Sequence, residues 1–98
     1  MNQKTFRESL NQEIPPPGLN RAVEALWHAA KGNWSKAHER AQEEDSRNGS
    51  WVHAYLHRLE GDLGNAGYWY HRARKPVETR SFQEEWECIV NALLPESG

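Results

Sequence analysis

Gly61-Asp62-Leu63-Gly64-Asn65-Ala66-Gly67-Tyr68-Trp69-Tyr70-His71-Arg72-Ala73 decides how this chain folds. It reads as a tight turn opening into an amphipathic helix. Gly61 suits the left-handed conformation that ends one helix. The Asp62 side chain suits the free N–H groups that open the next. Ala66 is small enough to let two helices approach closely. A weaker copy, Gly32-Asn33-Trp34-Ser35-Lys36-Ala37, lies 29 positions earlier. Two turns of one kind predict two helix–turn–helix hairpins.

Outward from the turns, apolar stripes at i, i+3, i+4, i+7 define the helices. The first is expected from Leu19 or Asn20 to Lys31, carrying Val23, Leu26, Trp27 and Ala30. Its partner begins between Asn33 and Ser35, with Trp34, Ala37 and Ala41 inward, and ends near Glu43-Glu44-Asp45. A third helix, Ser50 to Glu60, repeats the first stripe as Val52, Tyr55, Leu56 and Leu59, again offset by 29. A fourth runs from Leu63 to about Lys75, with Ala66, Trp69, Tyr70 and Ala73 inward and Pro76 closing it. Ser81-Phe82-Gln83-Glu84 is a capping box, followed by Phe82, Trp86, Ile89, Val90 and Leu93 on one face and a stop at Pro95. No segment alternates with period two, so the expected class is all-α.

Residues 1–18 stand apart as an arm, with residues 19–95 forming one domain. Phe6, Leu10 and Ile14 recur every fourth position before Pro15-Pro16-Pro17-Gly18 enforces an extended path. The arm either docks through Phe6 and Leu10 or stays mobile. Ninety-eight residues leave room for one core, and five Trp, three Tyr and two Phe make it bulky. The net charge of −2 gives no general attraction to nucleic acid or anionic membrane. One cysteine, Cys88, allows no internal disulfide. Neither a signal peptide nor an apolar run long enough for a membrane span is visible, so a cytoplasmic protein is expected.

The 29-residue period and the turn residues resemble the tetratricopeptide class of helical-hairpin repeats. Gly61-Asp62-Leu63, Ala66, Tyr70 and Ala73 fall where that repeat places its turn pair, a large apolar residue, a small residue, an aromatic and a second Ala. Gly32, Asn33, Trp34 and Ala37 repeat the first half, whereas Ala41 and Glu44 replace the later pair. The resemblance covers residues 20–75, and the first helix of each hairpin departs from the family pattern. It implies a right-handed stack of hairpins, a concave peptide-binding face and a final helix, 81–93, capping the last edge. Such stacks normally need about three repeats, so the open end of this one is expected to be covered by the arm or by a second copy.

The expected function is therefore a non-enzymatic protein-interaction module that binds a peptide or itself. Its groove would be floored by Glu24, His28 and Lys31 on one helix and by His53, His57 and Glu60 at the 29-residue offset, with Arg21 and Arg58 reaching carboxylates. The alternative is a small metal-binding protein or enzyme using His28, His53 and His57, since His53 and His57 are spaced i, i+4. The Glu of an H-E-x-x-H protease is absent, and no phosphate-cradling loop, nucleophile elbow or paired-cysteine set is present. No cofactor is expected.

Overall fold

The computed structural model describes residues 1–94, and they are all helix and connection, with no strand among them. Six helices follow in order: α1 (Gln3–Glu8), α2 (Arg21–Ala30), α3 (Trp34–Gln42), α4 (Arg47–Leu59), α5 (Leu63–Ala73) and α6 (Phe82–Leu93). A single 3-10 turn, Ser9–Asn11, extends α1. Pro95, expected to close the last helix, lies outside the described residues.

The two quoted turns fold alike. Gly32 and Gly61 adopt φ of 81° and 83°. At the first, Gly32 N–H donates to Ala29 O and Asn33 N–H to His28 O, both at 3.0 Å. At the second, Gly61 N–H donates to Arg58 O at 3.1 Å and Asp62 N–H to His57 O at 3.0 Å. This double closure is the Schellman arrangement, which satisfies carbonyls a helix end leaves free. Asn33 and Asp62 then cap α3 and α5, accepting from the N–H groups of Lys36 and Asn65. The result is two closely packed pairs, α2 with α3 and α4 with α5.

Two of the shifted boundaries have a specific local cause. Helix α4 starts at Arg47, three residues early, because Ser46 caps it by accepting from Gly49 N–H at 3.2 Å. Gly49 lies in the first turn of α4: a Cβ there would lie 1.9 Å from the Glu44 carbonyl oxygen, so the α3–α4 joint requires a glycine. Helix α5 ends at Ala73 rather than Lys75, since Arg74 takes the left-handed conformation (φ 58°) and Lys75 N–H donates to Tyr70 O.

The arm is docked. Phe6 is fully buried and stacks on Trp86, with ring centroids 5.9 Å apart. Ser9 Oγ donates to Phe6 O and accepts from Trp27 Nε1 at 3.1 Å. Lys31 Nζ donates to the carbonyls of Leu10 and Gln12, and Arg7 pairs with Glu87.

Helix α6 packs chiefly on α4 and α2, bridging the two pairs. Trp86 Nε1 anchors it by donating to Leu26 O at 2.9 Å. The buried apolar residues divide into two groups. Val23, Leu26, Trp27, Val52, Tyr55, Leu56, Trp86 and Ile89 share the larger, with Phe6, and Leu59 lies against it. Tyr70 belongs instead to a smaller cluster with Ala54 and Ala66, against which Trp69 packs half-buried. Phe82, expected inward, is 47% exposed because it occupies the first turn of α6, ahead of the surface that meets α4. No helix among the described residues is long and apolar enough to cross a membrane.

Candidate functional site

Helix α4 carries His53 and His57 one turn apart, and helix α3 packs against it. That packing brings His38 of α3 to the pair. His38 Nε2 and His53 Nε2 are 2.8 Å apart, so one nitrogen carries a proton and donates to the other. The His53 and His57 rings are stacked, 5.0 Å between centroids, and His38 meets both edge-on. One ligand-capable atom from each ring lies within 4.8 Å of the other two.

Aromatic walls fix these rings. Trp34 stacks on His38 at 4.8 Å and donates its Nε1 proton to Leu56 O at 2.7 Å. Trp69 stacks on His53 at 3.9 Å, nearly parallel. Across the cluster, Glu60 Oε1 lies 2.8 Å from His57 Nδ1, which makes Nδ1 the donor. Burial lowers the His53 pKa to about 4, with His38, His57 and Arg72 adding to the effect. Burial also lowers His38, assisted by His57 and opposed by Glu60. His53 is thus neutral at pH 7.

His28 does not join this cluster, which corrects the expected His28, His53 and His57 set. His28 lies on α2 and its Nε2 faces back along its own helix, 3.7 Å from Glu24 Oε2. That nitrogen is buried and has no hydrogen-bond partner among the described residues. His53 and His57 face α3 rather than the Glu24 row, so the third imidazole comes from the second helix of the first pair.

The remaining groove residues are largely engaged inside the chain. Glu24 binds Arg40 Nε at 2.8 Å and Arg21 Nη1 at 3.0 Å. Burial pushes the Glu24 carboxyl up, but these two guanidinium groups outweigh it and hold the pKa below the usual carboxylate value. Lys31 secures the arm. Arg58 donates from Nη1 to Glu85 Oε1 at 3.0 Å and from Nη2 to Arg80 O. Glu60 holds His57.

Glu85 was not singled out in the sequence, yet it is 1% exposed and accepts from both Tyr70 Oη and Arg58. Burial raises its pKa, and burial together with the bond to Glu85 raises that of Tyr70. Glu85 sits in the first turn of a capped helix, where carboxylates are ordinarily solvated. Beside this network lies an open recess of about 610 Å³, lined by Leu63, Ala66, Tyr70, Val77 and Phe82 and rimmed by Arg58, Glu78 and Thr79. Leu63 and Val77 there are 69% and 63% exposed. No protein-family model matches the chain, and no curated protein or solved structure matches it significantly.

Proposed function

We propose that this chain is a non-enzymatic protein-interaction module built on tetratricopeptide-like helical hairpins. Two helix pairs with the same Schellman turn and a side-chain cap at the equivalent position (Asn33 and Asp62), 29 positions apart, support the repeat reading. The observation that carries the function is the recess beside α5 and α6. Leu63, Val77 and Phe82 place apolar surface in a concave setting, where sites for side chains of a partner usually form. The expected Glu24–His28–Lys31 row is a weaker candidate, because Glu24 and Lys31 already bind within the chain. A peptide segment with two or three apolar anchors fits the recess best.

Panning a random peptide display library against the purified chain tests this reading. Apolar-anchored sequences should be enriched, and binding should fall at least tenfold in Leu63→Glu and Phe82→Glu variants that keep their helical circular dichroism. Absence of enrichment, or enriched peptides that bind both variants as well as the original, would remove the assignment.

A further inference from the structure

We propose that His38, His53 and His57 form a three-nitrogen site for a first-row divalent transition metal of the zinc type, oriented by Glu60. Three of the five histidines converge from two helices that are far from each other in sequence order only by one turn and a cap. Imidazole nitrogen is a preferred donor for zinc, cobalt, nickel and copper, whereas magnesium and calcium demand oxygen. Tetrahedral binding at metal–nitrogen distances near 2.05 Å sets the nitrogens about 3.3 Å apart. The His38–His53 pair, at 2.8 Å, must open by about half an ångström, and the farthest pair, within 4.8 Å, must close by at most about 1.5 Å.

The surroundings resemble those of metal-bound imidazoles. A ligating histidine normally donates its other ring N–H to a carboxylate, which fixes tautomer and aim. Glu60 does this for His57 through Nδ1, leaving Nε2 for the metal. The two indoles hold the other rings: Trp34 against His38 and Trp69 against His53. The proton shared between His38 Nε2 and His53 Nε2 occupies the place the metal would take. On binding it transfers to Nδ1 of its own ring, so no net charge leaves the protein. Among the described residues, no fourth His, Cys, Asp or Glu atom falls within the same mutual reach. Three protein ligands leave one position for water or an incoming donor, the coordination of an open site rather than a closed structural one. Arg72, which lies over Trp69 at 5.1 Å, is the nearby cation that opposes the metal charge.

The test uses the untagged full chain, stripped with chelator and titrated with Co²⁺ followed by visible absorption, then with Zn²⁺ by calorimetry. One equivalent should bind, with the intense visible bands of four-coordinate Co²⁺, and Zn²⁺ should displace it. His38→Ala, on a half-buried ring, should abolish saturable uptake while helical circular dichroism is retained. Glu60→Gln should weaken binding about 10–100-fold, the usual effect of losing such an orienting partner. His28→Ala should leave the titration unchanged. Absence of saturable uptake, or equal uptake by the His38→Ala variant, would overturn the site. If His57→Ala fails to fold, the His38→Ala and Glu60→Gln results decide alone.

Discussion

At the scale of single residues, the chain places neutral imidazole where water cannot easily reach it. His53 is 4% exposed and its folded pKa is about 4, against 6.5 when free. Between those values the unfolded chain binds a proton that the folded chain refuses. Stability is therefore complete above pH 6.5 and declines as pH falls toward 4, by an amount on the order of 3 kcal/mol for a shift of this size. His38, lowered in the same direction, adds to the trend. Urea denaturation at pH 7 and pH 4.5, with chelator present, should show the loss, and His53→Gln should remove most of the difference between the two. An acid dependence unchanged by that substitution would mean that other groups carry it.

At the scale of elements, one carboxylate ties three helices together. Glu85 of α6 receives Tyr70 from α5 and Arg58 from α4. Removing one member of a buried ion pair strands the other and typically costs about 3–5 kcal/mol. Arg58→Ala should lose that much near neutral pH, measured by chemical denaturation. The loss should shrink as pH approaches 4, because a protonated Glu85 needs no counter-charge. The same elements show what local pattern can and cannot reveal. Gly32-Asn33 and Gly61-Asp62 announce their turns because left-handed φ and N-capping are local requirements. Gly49 carries no such local signal, since its reason is contact with the Glu44 carbonyl across the α3–α4 joint, which spacing does not display. His53 and His57 are visible as an i, i+4 pair, but His38 reaches them only through packing of α3 on α4. Its one local hint is the Trp34–His38 spacing beside the inward Ala37. Glu85 gives no hint, because a capping-box helix normally opens with solvated carboxylates.

At the scale of the whole molecule, a short two-hairpin chain covers its own apolar surface. The arm expected as one of two possible covers supplies Phe6 to the principal core, and α6 crosses both helix pairs. Deleting residues 1–13 should uncover the Trp86 face and strand the Trp27 indole N–H, which now meets Ser9. Loss of a core phenylalanine alone costs about 3–5 kcal/mol, and the bared surface should promote self-association. Denaturation and sedimentation of the truncated chain would measure both, and a stable monomer of unchanged midpoint would show the arm to be dispensable. The contact between Arg7 and Glu87 also spans 80 positions. A ribosome making this chain emits Phe6 well before its neighbour Trp86, which follows 80 positions later. Throughout that interval Phe6 lacks the indole it stacks on in the folded chain, so the nascent arm carries an uncovered aromatic ring until α6 has been made.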